Sequence, residues 1–400
     1  MTCPSCGTLF EGRFCPTCGT DTQAAPVAPP TVAPSYAFVC VRCGAVFNGA
    51  WCPYCGTPLR AAVPGSGARG LGSVAWTLSM IAFLGLVVAD ILTLAYTSSM
   101  VVQGAFAGGP RLIWLFILTP FPMGPIFDVT AETFVAYFGL VLLGIAGTLG
   151  WLAYKDARPT KEAFFRPLDQ LRPRLESRSA WISTGQVFLA VFFITTMYAL
   201  LLEALGFTPA RPSGSGPSLP DWYQYFALAN APVYEEVVSR FLLIGVPLAI
   251  FASLFRGLVP AGQPRVPAWR HLFGGTVNRD SPRITIFLAM ALVTLSSVAF
   301  GLAHVPGYGA WKFVPATVGG LGMGYLFVRR GFLAGILLHF ATDYFVALLV
   351  LTGDNLAAQI VLALFVLALI ACGILFFAWY LVYAVEVVLH LFPTLRVRAP

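Results

Sequence analysis

From residue 73 to residue 389 the chain is a succession of apolar runs, most of them long enough to cross a bilayer. A crossing helix needs roughly 20 apolar residues, because lipid offers the backbone no hydrogen-bond partner. Eight such runs stand out, at about 73–98, 132–154, 182–206, 223–253, 284–305, 312–328, 332–352 and 357–389. Composition agrees: 58% of side chains are hydrophobic and only 10% are charged, where soluble domains carry about 25%. The expected class is an all-α polytopic membrane protein of about eight transmembrane helices.

The net charge of +7 does not point to nucleic acid, because the basic residues gather in loops between apolar runs. Lys155, Arg158, Lys161, Arg166, Arg172, Arg174 and Arg178 follow the second run, and Arg256, Arg265, Arg270, Arg279 and Arg283 follow the fourth. Arg329 and Arg330 follow the sixth, and Arg396 and Arg398 the eighth. The alternate loops hold only Arg111, Arg211 and Lys312. Eight spans with both termini cytoplasmic, in an inner (cell) membrane, put nearly every basic residue inside. The proline-broken stretch Leu112 to Phe127 would upset that register as a ninth span, so it is expected to be re-entrant or interfacial. The sequence begins without an apolar signal segment, and the N-terminus is expected to stay in the cytosol.

Eight of the nine cysteines lie in the first 55 residues. Cys3-Pro-Ser-Cys6 and Cys15-Pro-Thr-Cys18 form one CxxC-x8-CxxC unit; Cys40, Cys43, Cys52 and Cys55 repeat it 37 residues later. Reduced thiols in this pattern favour metal over disulfides, and four thiolates satisfy tetrahedral Zn²⁺. Two structural zinc ribbons are expected, with the metal supplying the folding energy of segments too small for a core. Cys372, alone in the last run, is expected to be a buried small residue.

The chemistry-bearing residues concentrate in the fourth, fifth and seventh runs. Val233-Tyr234-Glu235-Glu236-Val237-Val238-Ser239-Arg240 puts three ionisable groups where each costs ~2.5–3.5 kcal/mol. Four residues apart, Glu236 and Arg240 can pair on one helix face, which turns Glu235 about 100° away. Phe300-xxx-His304 closes the fifth run, and His339-xxx-Asp343 shares one face of the seventh. Carboxylates with imidazoles are the inventory for activating water, with or without a metal. His304 falls near the outer end of its span, while His339 is ~10 Å into its own. Assembly then requires tilted helices, or a later start and a bend at Pro306. Asp90, Glu203 and Glu386 are isolated carboxylates in other spans.

In that order, EExxxR, FxxxH and HxxxD resemble the CPBP family of intramembrane proteases, which includes CAAX prenyl endopeptidases and Abi-type proteins. The resemblance covers about residues 220–352; Asp343 stands where the family often has Asn. It implies an intramembrane endopeptidase acting on membrane-associated or prenylated CAAX-like substrates. In those roles Glu235 is the general base, His304 binds or orients the water, His339 and Asp343 stabilise the oxyanion, and Glu236–Arg240 holds the helix. The two glutamates can exchange roles, since sequence does not phase the helix. The family is usually described as metal-dependent, and two histidines with a carboxylate match a catalytic Zn²⁺ set. A metal-free glutamate/histidine site uses the same residues, so the question stays open.

The expected organisation is a zinc ribbon at 1–20, an Ala/Pro-rich linker at 21–36 and a second ribbon at 37–60. A linker at 61–72 leads to N-terminal membrane helices at 73–206, a catalytic membrane domain at 207–355, and a C-terminal helix and tail at 356–400. Expected partners are a membrane-embedded peptide or protein substrate, the lipid bilayer and a protein partner for the ribbons, with no nucleic acid. The alternatives are a non-catalytic scaffold or immunity protein of the same fold, or a proton-coupled transporter using the buried carboxylates.

Overall fold

The computed structural model describes residues 2–3, 6–19, 21, 38–39, 46–47, 67–108, 111–114, 125–168, 170–207, 220–255, 266–278, 280–353 and 355–391. The chain divides into two compact units, Met1–Gly70 and Leu71–Pro400. Cys40, Cys43, Cys52 and Cys55 lie outside the described residues, as do nearly all of the first linker and the start of the second.

In the first unit the backbone repeats itself as the cysteines do. Thr2 bridges Leu9 antiparallel, and 37 residues on, Val39 pairs with Val46 between β1 (Phe38–Val39) and β2 (Val46–Phe47). The same two positions of each sequence repeat therefore close the same kind of turn.

The second unit is helical. Helix α1 spans Gly67–Phe106 and α2 spans Ala131–Phe164. A short α3 (Leu171–Leu175) leads to α4 (Ala180–Ala204). Then α5 (Asp221–Glu236) runs through a π-helical segment, Val237–Gly245, into α6 (Val246–Leu254). The one-turn α7 (Ala268–His271) precedes α8 (Arg283–Tyr308), and a 3₁₀ turn, Ala310–Lys312, joins it to α9 (Phe313–Arg330). Last come α10 (Phe332–Thr352) and α11 (Leu356–Leu391).

Helices occupy all eight expected positions, and seven of them are long and apolar enough to cross a membrane. The sixth expected span, α9, does not reach that standard. It has only 18 residues, carries Gly319, Gly320, Gly322 and Gly324, and ends on Arg329-Arg330. Its composition follows from its surroundings. A Cβ on Gly324 would come 2.8 Å from Val293 on α8, and one on Gly320 would come 3.1 Å from Ser297. Glycine here lets two helix backbones approach closely, as small residues do between membrane helices. Leu326 and Phe327 are fully buried, so α9 meets protein over much of its surface and needs little lipid-facing bulk.

Boundaries moved outward where helices continue past the apolar run. Thr130 caps α2 by accepting from the Thr133 N–H at 3.3 Å, and the helix continues through Lys155, Arg158, Pro159 and Lys161. Ser179 caps α4 by accepting from the Ile182 N–H at 3.2 Å. Of the stretch Leu112 to Phe127, residues 115–124 lie outside the described residues; its described ends pair antiparallel as β3 (Leu112–Trp114) and β4 (Pro125–Asp128), with Leu112 opposite Asp128.

Helix α10 is the centre of the bundle: 61% of its apolar window is buried, the largest share of any span. On one side it meets Phe83, Phe188, Met323 and Phe376. On the other it meets an aromatic cluster in which Phe134 and Phe226 stack with centroids 4.4 Å apart. Dispersion and close fit hold these faces together in lipid, where apolar burial alone gives no drive. The bundle's most enclosed helix thus carries His339 and Asp343.

Candidate active site

The π-helical segment begins at Val237, directly after Glu236. Such wide turns recur at functional sites because they alter the direction in which neighbouring side chains leave the helix. Here Glu235 and Glu236 face two different environments. Glu236 is fully buried, and its Oε2 is 3.4 Å from Arg240 Nε, itself fully buried. Arg240 Nη1 donates to Ser296 Oγ at 2.9 Å, and Ser296 in turn donates to the Ser239 carbonyl at 2.5 Å. Its Nη2 donates to Met323 Sδ at 3.5 Å, and the guanidinium stands 5.2 Å over the Phe300 ring. The charge is thus shared among an ion pair, a hydroxyl, a thioether and a ring face. A buried pair needs such additional partners to offset its desolvation.

The other Glu236 oxygen, Oε1, accepts from His339 Nδ1 at 3.0 Å. Glu236 reaches α10 because residue 335 is glycine: a Cβ there would lie 2.7 Å from Glu236 Oε2. The opposite imidazole nitrogen, Nε2, faces Asp343 Oδ2 at 3.5 Å and Glu235 Oε2 at 3.8 Å. Side-chain exposure rises from 0% at Glu236 to 12% at Glu235 and 21% at Asp343. The cluster is therefore sealed at Glu236–Arg240 and opens on the Glu235–Asp343 side. His339 thus has a hydrogen-bond acceptor for Nδ1 in Glu236, while its Nε2 faces two further carboxylates at ion-pair distance.

His304 joins through Phe300. The Phe300 ring lies 4.6 Å from the His304 ring and 5.9 Å, edge to face, from the His339 ring. His304 Nδ1 donates to the Phe300 carbonyl at 2.8 Å, a tautomer that makes Nε2 an acceptor. Of the two alternatives, the later start of the fifth span does not occur. Helix α8 begins at Arg283 and runs through Pro306 to Tyr308, and an aromatic ring bridges the two imidazoles.

Several contributors escaped the sequence reading. Ser296, Phe300, His304 and Tyr308 form one i, i+4 series on α8, and Gly335, His339 and Asp343 form another on α10. Extending each motif by four residues in either direction would have found Ser296, Tyr308 and Gly335. The isolated carboxylates stay apart from the cluster. Glu203 and Glu386 are exposed. Asp90 is fully buried, and its oxygens have no hydrogen-bond partner among the described residues.

A catalytic metal finds no ready ligand set here. Among the described residues, only Cys3, Cys6, Cys15 and Cys18 bring their ligand atoms all within 4.8 Å of one another. Glu235, His339 and Asp343 do not converge that way, and both His339 nitrogens are directed at carboxylates. The cysteines do fit a metal: Cys3 and Cys18 Sγ are 3.5 Å apart and Cys6 and Cys15 Sγ 3.4 Å. A tetrahedron of Zn–S bonds near 2.3 Å has edges of roughly 3.8 Å. Burial pushes the Cys15 thiol up to about 12, while hydrogen bonding with Thr8 lowers Cys6 to about 6.

This polytopic α-helical bundle gathers carboxylates and imidazoles from three helices at its centre, the inventory for activating water. Residues 217–345 match the family described as type II CAAX prenyl endopeptidase Rce1-like. The match starts just before α5 and ends just after Asp343, so it encloses every residue of the cluster. Searches of curated proteins and of solved structures gave no match.

Proposed function

We propose that this chain is an intramembrane endopeptidase that hydrolyses peptide bonds of membrane-associated or prenylated CAAX-like substrates with water activated between Glu235 and His304. The observation that carries this reading is the division of the two adjacent glutamates around His339. Glu236 is neutralised by Arg240 and holds the imidazole at 3.0 Å, whereas Glu235 stands at the open side, 3.8 Å from the same ring.

Water held by the His304 acceptor nitrogen gives a proton to Glu235 as its oxygen adds to the scissile carbonyl carbon. The oxyanion takes a hydrogen bond from His339 Nε2, whose ring is fixed from behind by Glu236 and from the side by Asp343. The C–N bond then breaks, and protonated Glu235 delivers its proton to the leaving amine. Glu236 and Arg240 move no proton; they set the position of His339. No step requires a metal.

The Cys3/Cys6/Cys15/Cys18 cluster would hold a structural Zn²⁺ that fixes the fold of the first module. The shared spacing and backbone pairing extend that reading to the second module. Loop charges support an inner-membrane location with cytoplasmic termini. The test is a comparison of membrane peptides from cells making the wild-type chain or Glu235→Ala at equal levels. Peptides ending at a new C-terminus should be present only with wild type; identical peptide sets would overturn the reading.

A further inference from the structure

Between α4, α8, α9 and α11 lies a mostly apolar cavity of about 1000 Å³, and no residue of the carboxylate–imidazole cluster lines it. The charged residues of its wall, among those described, gather at one end: Asp280 just before α8, Arg329 near the end of α9 and Glu386 near the end of α11. Arg329 Nη1 donates to the Val277 carbonyl at 3.3 Å, which ties α9 to the segment that carries Asp280. One turn before Arg329, the Tyr325 ring meets the rings of Tyr380 and Tyr383 on α11, with centroids 5.5 and 5.9 Å apart. Arg329 and Glu386 each lie about one turn beyond those rings, at the same level of the bundle. The Arg329 Nε–H is buried and has no acceptor among the described residues.

From this end the cavity reaches along α9 to Val318, eleven residues before Arg329. At 1.5 Å per residue that is about 16 Å, close to half the ~30 Å hydrocarbon thickness of a bilayer. One lipid tail of one leaflet occupies that depth. The three tyrosines lie between the charged end and the apolar depth, the headgroup level at which membrane proteins concentrate this residue.

We infer that the cavity binds one glycerophospholipid, with an acyl chain in the apolar part and a phosphoethanolamine headgroup at the charged end. The phosphate accepts from Arg329, and the primary ammonium donates to Asp280 and Glu386. Both signs of charge line the site, so a zwitterionic headgroup answers them together. An anionic headgroup meets two carboxylates with a further negative charge. A choline headgroup has no N–H and cannot make charge-assisted hydrogen bonds to them. The inference stands apart from the endopeptidase reading. Helices α4 and α11 lie outside the matched block 217–345, while α8 and α9 lie inside it, so the lipid joins the two sets.

The test incubates delipidated full-length protein with vesicles of equimolar dioleoyl phosphatidylethanolamine, phosphatidylcholine and phosphatidylglycerol. The protein is repurified in detergent, and retained lipid is read by native mass spectrometry. Wild type should retain one phospholipid per chain, with the ethanolamine lipid at least tenfold enriched over each of the others. Leu321→Trp, which fills the apolar part, should lower retention at least tenfold; Arg329→Gln should do the same, and Arg329→Lys should keep it. Asp280→Asn with Glu386→Gln should still retain one lipid but lose the preference for ethanolamine. No retained lipid on wild type, equal retention of all three, or a preference for either other headgroup overturns the inference. Undiminished retention in Leu321→Trp overturns it as well. If a variant melts far below wild type, the wild-type selectivity decides alone.

Discussion

The molecule holds two centres of polar chemistry, and they are built by opposite means. The Cys3/Cys6/Cys15/Cys18 cluster draws all its ligands from one sixteen-residue stretch with almost no apolar core around it. The Glu235/Glu236/His339 cluster joins two helices at residues 103 apart in sequence and supplies its own countercharge in Arg240. One centre obtains order from a ligand it must bind, and the other from packing already complete. A site that must remain available to substrate and water is better served by the second arrangement, because nothing occupies its open side.

The contrast breaks most readily at Arg240. Arg240→Leu should leave Glu236 buried without its guanidinium countercharge and destabilise the bundle by about 3–5 kcal/mol, seen as early melting in detergent. A smaller loss, under about 1 kcal/mol, would mean that water reaches Glu236 and the cluster is not self-sufficient. Gly335→Ala is the next largest effect. Its Cβ would fall 2.7 Å from Glu236 Oε2, so the carboxylate must retreat from His339. The expected cost is about 1–3 kcal/mol, together with a lowered kcat. The smallest effect on the membrane unit should come from the other centre. Chelation, or Cys15→Ser, should release one metal per chain and disorder residues 2–21, yet leave helix melting and peptide cleavage within error of wild type. A metal assay reading about two zinc per chain before chelation would extend the arrangement to the second module.

How much of this was legible in the sequence depends on which physical rule wrote each part. The helix positions were, because lipid enforces long apolar runs. Helix α9 shows the limit of that rule. Its glycines depress hydropathy because the helix is packed against protein, so 312–328 is a helix that falls short of the apolar standard of the other seven. The members of the polar cluster stood out as charges no membrane helix carries without cause. Their assignment was not. A one-residue difference in phase separates Glu235 from Glu236, and the π-helical segment after Glu236 follows no sequence pattern that would have set it. Nor did sequence explain how His304 meets His339 from a different depth. The Phe300 ring does that, and the FxxxH spacing contains it in plain view.

The central claim is the split between the neighbouring glutamates, and paired neutral isosteres test it most directly. Glu235→Gln and Glu236→Gln should be measured side by side for thermal melting and for cleavage of one peptide in vesicles. The account predicts that Glu235→Gln melts with wild type and loses cleavage by about 10²–10⁴-fold, while Glu236→Gln melts early because Arg240 loses its countercharge. The opposite pattern, early melting in Glu235→Gln with lost cleavage in a stable Glu236→Gln, would contradict it.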